Sequence, residues 1–457
     1  MRKQLLFGIA LLSLNVFSQE HFSGINISKR GGLLNASINP AELTNMSQKF
    51  DINVFNMSLN LSNNKIGFSD LTDGTDLEKK IFSGSEPTSA RLDVLIQGPS
   101  FAMKQKKWGF ALWTASNIKA NAIDVDVNFG NAVTNSFLGT ADINSGYNQR
   151  LNAASWSEIN LSAARDIIEI GNHKLSAGAT LKLLFPASYM NMGVNHLQGQ
   201  LTTEPISGDI YLDNATASMN FSYSGSLANS YEDSSNYSEL FAGGLNGYGI
   251  DFGFNYQLKE KVQESTDGGD YTVDGYKLNA GLSFRNMGSM TFKDNNNHSS
   301  NYALNIPDAV GIGGLNLSDF EGTESIVDIE QTLIDKGYLT KETSSGPFKV
   351  KLPAVINAYV DYKIYNKWSV SAYMQQKISD DSQNDFTTIQ NTVTLTPRFG
   401  GKNYELYLPL SSNEVSGFTT GFGFRLGGFF LGSGSIVTAA LNDSKQADIY
   451  MGFRFGI

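Results

Sequence analysis

The sequence predicts an all-β protein, a transmembrane antiparallel β-barrel of about 14 strands with an N-terminal plug segment and long extracellular loops. Three observations predict it. Apolar and polar residues alternate with period two along runs of ~9–12 residues, the length of a tilted strand crossing hydrocarbon, whereas strands of soluble proteins mostly run ~5–6. Charge is scarce, with 17% of residues charged and 45 glycines among 457 residues, against averages of ~25% charged and ~7% Gly. The segments between the runs also sort into short turns on one side and long polar loops on the other, the asymmetry expected of a barrel in an outer membrane.

Residues 1–18 read as a signal peptide. Arg2 and Lys3 precede an apolar run from Leu5 to Leu14, and Val16 and Ser18 stand at the spacing a signal peptidase reads. That run is too short to cross a bilayer, which takes ~20 apolar residues, and no later window supplies a helical span. Residues 19–49 contain Gly31-Gly32-Leu33-Leu34-Asn35-Ala36-Ser37-Ile38-Asn39-Pro40-Ala41, glycine-rich with a rigid Pro turn. Two readings stand for this segment, a periplasmic tail or a plug (hatch) inside the barrel. Its apolar content favours the plug.

The barrel occupies residues 50–457. Strands are expected at 50–61, 90–103, 108–118, 158–169, 174–185, 247–258, 276–287, 355–364, 368–378, 391–399, 404–411, 416–425, 429–441 and 448–457. The pattern is clearest at Asp448 to Ile457, where Ile449, Met451, Phe453, Phe455 and Ile457 oppose Asp448, Tyr450, Gly452, Arg454 and Gly456. Pro99 and Pro409 interrupt two of the runs. An even strand count puts both barrel ends on one side. Turns at 104–107, 170–173, 365–367, 400–402 and 426–428 would be periplasmic, with 259–275 a long exception, and the loops at 62–89, 119–157, 186–246, 288–354 and 379–390 would face outward. Trp108 and Trp368 next to the short turns, and Trp156 at the opposite rim, suit an aromatic girdle.

Two stretches inside the loops have structure of their own. Asp209 to Tyr223 reads as a strand in a hairpin that does not span. In the 288–354 loop a short helix near 325–336 aligns Ile326, Ile329, Leu333 and Ile334 on one face, with Gly337 as its stop.

Composition excludes several functions. A net charge of −10 offers no basic face for nucleic acid, and without cysteine there is no disulfide, thiol nucleophile or Cys-ligated zinc. His21, His173, His196 and His298 share no metal-ligand spacing, and no nucleophile elbow, phosphate loop or zinc-protease motif occurs. Asp70, Asp73, Gly74 and Asp76 miss the spacing of a calcium loop and read as a solvated turn. Neither an enzyme nor a cofactor is therefore expected. The residues singled out are the charges expected to face the lumen: Asp251, Lys277, Arg285, Asp361, Lys363, Arg425 and Arg454. Charges facing a barrel interior need partners or water, so cross-lumen ion pairs are the first reading and a substrate path the second.

The motif Asn39-Pro40-Ala41 about twenty residues past the signal, the strand count and the strand-terminated C-terminus resemble the FadL/TodX-type outer-membrane barrels. Asp251-Phe252-Gly253, Met287-Gly288-Ser289, Leu431-Gly432-Ser433-Gly434-Ser435 and Ala447 to Phe453 are most similar to a Bacteroidota outer-membrane barrel family of unassigned activity. The resemblance to PorV of the type IX secretion system is more distant. It implies a barrel with an N-terminal hatch at Asn39, Pro40 and Ala41, lodged among outer-membrane lipids. Two functions follow from it: passive transport of a small hydrophobic molecule, or a secretion-accessory role in which the outer loops dock a secreted or cell-surface protein.

Overall fold

Antiparallel pairing carries the chain round a closed ring of 14 strands. The computed structural model describes residues 21–134, 138–229, 243–260, 275–293, 296–308, 314–320, 323, 325–441 and 443–457. The expected signal peptide and most of the long 259–275 turn lie outside the described residues. In chain order the ring strands are β1 (Phe50–Asn63), β2 (Thr88–Gln97 and Ser100–Gln105), β3 (Trp108–Val125), β4 (Asn148–Ile170), β5 (His173–Thr203), β6 (Gly247–Lys259) and β7 (Tyr276–Phe292). The second half comprises β8 (Phe348–Lys351 and Val355–Tyr365), β9 (Trp368–Lys377), β10 (Thr392–Gly400), β11 (Tyr404–Tyr407 and Leu410–Asn413), β12 (Gly417–Thr420 and Phe422–Leu426), β13 (Phe429–Ser433) and β14 (Gln446–Gly456). β14 pairs with β1 and closes the ring, with a bulge between Asn53 and Phe55.

Each interruption has a local cause. β2 breaks at Gly98-Pro99 and β11 at Leu408-Pro409, because proline has no N–H to give the ladder. The run expected to continue through 429–441 stops at Ser433. The half-buried Asp448 carboxylate there accepts from the Gly434 N–H and the Ser435 hydroxyl, both at 2.5 Å, and the chain turns out of the wall into helix α5 (Ile436–Leu441). At the opposite end the hairpins are tight, and Lys106, Gly171, Asn366 and Gly427 take the positive φ that two-residue turns favour.

β4 and β5 run far beyond the lengths the alternation suggested. Only the lower part of β5, His173 to Leu184, pairs with β6. Above Tyr189 it leaves β6 and pairs instead with Ile210–Ser224, the hairpin strand expected inside the loop. That strand pairs in turn with His298–Ile306, which pairs with Leu339–Ser345. A crown of sheet thus rises from one side of the ring. It is covered by three helices, α2 (Leu77–Ile81), α3 (Val127–Val133) and α4 (Ile326–Asp335), with a 3-10 turn at Leu317–Phe320. α4 is the helix expected near 325–336; Ser325 caps it, its hydroxyl accepting from the Asp328 N–H at 3.3 Å.

The two faces of the ring have opposite chemistry. Leu112, Leu161, Leu181, Phe252, Phe254, Leu395 and Phe453 point outward and are exposed, while their chain neighbours Ser162, Lys182, Asp251, Asn255 and Thr394 are buried inside. Trp108 and Trp368 stand exposed at the tight-turn end. Trp156 does not share the outer girdle. It is buried on the lumen side, donating from Nε1 to Glu158 at 2.9 Å and packed with Tyr189 and Phe348.

Candidate functional site

Two places concentrate chemistry, the lumen and the crown. In the lumen, residues 21–45 lie inside the ring, including α1 (Leu33–Ile38) and the 3-10 turn Pro40–Asn45. Asn39 joins these two elements in extended conformation. Its Oδ1 accepts from the Ala41 N–H at 3.0 Å, and Nδ2 donates to the Phe254 carbonyl at 2.9 Å and the Tyr359 hydroxyl at 3.2 Å. Pro40 starts the turn, where its missing N–H costs nothing. Room for the segment comes from lumen-facing glycines. A Cβ on Gly178 would stand 2.6 Å from the Pro40 carbonyl carbon, one on Gly109 2.6 Å from that of Leu43, and one on Gly253 would strike the Asn39 side chain.

Glu42 is the hub of this contact and was not singled out from sequence. Its carboxylate is buried and accepts from Asn45, Asn255 and Asn279, each at 2.8 Å, and from the Tyr359 hydroxyl. The acceptor load falls on neutral donors from three ring strands, β6, β7 and β8.

The charges expected in the lumen are mostly there and mostly paired. Asp251 meets Lys182 at 3.3 Å, and Lys182 also meets Glu158 at 3.4 Å. Asp361 pairs with Arg398 at 2.8 Å and accepts from Tyr276 at 2.6 Å. Arg425 faces Glu405 at 3.7 Å, Lys363 pairs with Glu260 at 2.6 Å, and Arg454 with Asp51 at 2.7 Å. Arg285 lines a lumen cavity of about 70 Å³ near Lys182, and its Nε has no partner among the described residues. Lys277 is placed differently. A bulge between Tyr276 and Leu278 turns it away from the lumen, and its ammonium sits 4.9 Å from the ring centre of the outward-facing Tyr362. Breaking one member of such a buried pair costs about 3–5 kcal/mol, although the intact pair adds little net stability.

In the crown the same alternation builds a core on the other side of the wall. Asn191, Gly193 and Asn195 continue the lumen face, and Asn191 donates to Asn220, which donates to Asn301. The outward face carries Met190, Met192 and Val194 beside Tyr223, Phe221 and Met219. The outer rows are continuous by register. Leu61 opposes Leu92, then Ala120, Ala153 and Met190 follow, so an exposed outer residue of β1 stands in one row with the crown's buried core. Helix α4 seals this face through Glu330, whose carboxylate meets His298 Nε2 at 2.9 Å and accepts from Tyr302 at 2.6 Å and Tyr223 at 3.1 Å. Burial alone would raise the Glu330 carboxyl, but these hydrogen bonds hold it below its ordinary value. Burial together with the bond to Glu330 pushes the Tyr302 hydroxyl up to about 12.

Between this sheet and its covering helices lies an apolar chamber of about 270 Å³. Met192, Val194, Met219 and Leu304 form its sheet wall, with Phe129 of α3 and Leu333 of α4 opposite. The volume sits at the lower end of small-molecule pockets, ~300–1,000 Å³. Sequence reading missed it, although the alternation Met190-Asn191-Met192-Gly193-Val194-Asn195 shows that period two continues past the expected end of the strand.

A family described as "Family of unknown function (DUF5723)" matches residues 40–434. No curated protein matches the sequence. Among solved structures, the chain is similar to the Ralstonia pickettii toluene transporter TbuX, with 11% identity and a TM-score of 0.42 over 96% of this chain and 99% of that one. It is similar to the P. putida toluene transporter TodX, with 9% identity and a TM-score of 0.38 over 92% of each chain. It is also similar to a Pseudomonas aeruginosa FadL homologue, with 9% identity and a TM-score of 0.39 over 96% of this chain and 98% of the other.

Proposed function

The chain belongs to the family of unknown function DUF5723, and we propose that it is an outer-membrane β-barrel that takes up a small hydrophobic molecule, held first in the crown chamber. The chamber carries the reading: a half-open, apolar-walled pocket of about 270 Å³ suits a small hydrophobic molecule. The ring supports the membrane location. No described helix is long and apolar enough to cross a bilayer, whereas the strands close on themselves and leave no backbone edge to lipid. Their outward side chains are the leucines and phenylalanines that acyl chains accept. In this reading residues 1–18 direct export, the crown faces outward, and residues 19–49 act as the hatch, pinned through Asn39, Pro40, Ala41 and Glu42 to β5, β6, β7 and β8.

Proteoliposomes carrying the full chain test it. Uptake of a fluorescent apolar probe is expected to exceed that of empty liposomes and to fall at least fivefold in Met192→Trp, which fills the chamber. Equal uptake in the two proteins would overturn the chamber's part. Migration on a detergent gel is expected to shift on boiling, as a closed barrel's does; failure to shift would overturn the barrel reading. A second reading, a barrel whose crown docks a secreted protein, draws on strand Thr140–Asn144, which pairs only with β5 among the described residues and leaves one edge unpaired. Saturable protein binding that survives Met192→Trp would favour it.

A further inference from the structure

The chamber has one polar feature that an apolar core does not call for. Gln149, on β4, stands in its wall and is 4% exposed. The Gln149 Oε1 accepts from the Asp126 N–H at 2.8 Å. A backbone N–H only donates, so that bond fixes the orientation of the amide and leaves Nε2 as its other end. Nε2 is buried and has no acceptor among the described residues. Asp126 is itself held, because its carboxylate caps α3 by accepting from the Asn128 and Phe129 N–H groups at 2.9 and 3.0 Å.

The other polar groups of the wall are spent. The Thr88 hydroxyl donates to the Ile81 carbonyl at 2.6 Å and that of Thr134 to the Gly130 carbonyl at 3.0 Å. Arg150 contributes to the wall, but its guanidinium points to the lumen side. There Nε and Nη2 bond the Asn191 amide oxygen at 3.0 and 2.9 Å, and Nη1 bonds the Asp381 carbonyl at 2.5 Å. Among the described residues the chamber thus offers a ligand one neutral donor and no cation. A buried donor without an acceptor costs roughly 1–3 kcal/mol, which a ligand oxygen would relieve. A carboxylate would enter without a counter-charge and lose its hydration.

We propose that the chamber's ligand is an uncharged apolar molecule bearing a single hydrogen-bond acceptor, a ketone, ester or ether oxygen, received by Gln149 Nε2. The proposal rests on the chamber being a binding site and adds the class of molecule it selects.

Three probes of equal length separate the outcomes: decane, 2-decanone and decanoate, each displacing a fluorescent apolar probe from the amphipol-held full chain, with Met192→Trp as the blank for partitioning. The native chain is expected to bind 2-decanone roughly tenfold more tightly than decane, and decanoate more weakly than either. Gln149→Leu is expected to abolish the ketone's advantage while leaving decane within twofold. Should that variant misfold because the Asp126 N–H loses its acceptor, Gln149→Met keeps the length and a weak acceptor, removes the donor and is expected to show the same loss. Equal binding of decane and 2-decanone by the native chain, or a ketone advantage that survives both substitutions, would overturn the proposal while the chamber stands. Displacement by none of the three would overturn the chamber itself as a binding site.

Discussion

The two halves of β5 make the sharpest contrast in the molecule. From His173 to Leu184 its outward residues, Leu181 among them, are exposed and its inward residues line a polar lumen. From Tyr189 to Thr203 the alternation resumes in the opposite phase after a bulge at Ala187, and the outward residues Met190 and Val194 are buried beneath helices. Period two therefore serves two surroundings, an exposed outer surface below and protein above. Period two specifies that a face is apolar; what covers that face is decided by the neighbours, here the segments around α3 and α4.

The contrast can be broken from either side. Phe221→Ala is expected to have the largest effect, about 3–5 kcal/mol, by opening a cavity in the crown core. Hydrogen exchange in 189–224 should then accelerate while β1 and β14 keep their protection; loss of protection in both would show that crown and ring unfold as one. Glu42→Ala strands several buried donors and is expected to cost about 3 kcal/mol in thermal unfolding. It should also raise ion current across planar bilayers, and an unchanged current would show that Glu42 does not hold the segment in the lumen. Leu181→Arg, on the lower half, is expected to cost about 2–4 kcal/mol near the bilayer midplane, measured by urea unfolding in vesicles, with no change in apolar-probe binding by the crown.

Acid supplies a gentler probe. Because the folded-state pKa of Glu330 is depressed, its contribution is present above its unfolded value near 4.5 and is lost as pH falls through the lower folded value. Exchange from α4 is expected to quicken between pH 5 and 3, by about 1 kcal/mol, and the step should vanish in Glu330→Gln. Lys277→Ala is expected to change stability by less than about 0.5 kcal/mol, because the ammonium lies on the outer surface over Tyr362. A larger loss would place that lysine among the lumen pairs after all.

The ring was legible in the sequence because fourteen runs alternate strongly where one face meets apolar surroundings and the other does not. Pro99 and Pro409 mark real breaks for the reason expected of them. The end of β13 was not legible, since Ser435 to Leu441 is apolar enough for a strand and only the distant Asp448 carboxylate diverts it. Lys277 was misassigned because a single bulge reverses which side chains face inward. Glu42 carried no local signal: its importance comes from Asn255, Asn279 and Tyr359, more than two hundred positions away. The chamber escaped because its walls come from stretches of chain scattered between Ile81 and Leu333, each ordinary alone.

Closure of the ring has a kinetic consequence. β1 meets β14, and Asp51 binds Arg454 across 403 residues. Bringing the ends of so long a loop together costs about 5 kcal/mol of chain entropy before any bond across the seam forms. Until then both terminal strands present unpaired edges, the templates on which chains aggregate. The seam must therefore close last and all at once, and a nascent chain must be shielded until its final strand is made. Assembly rate, rather than final stability, is where substitutions at this seam should be felt most.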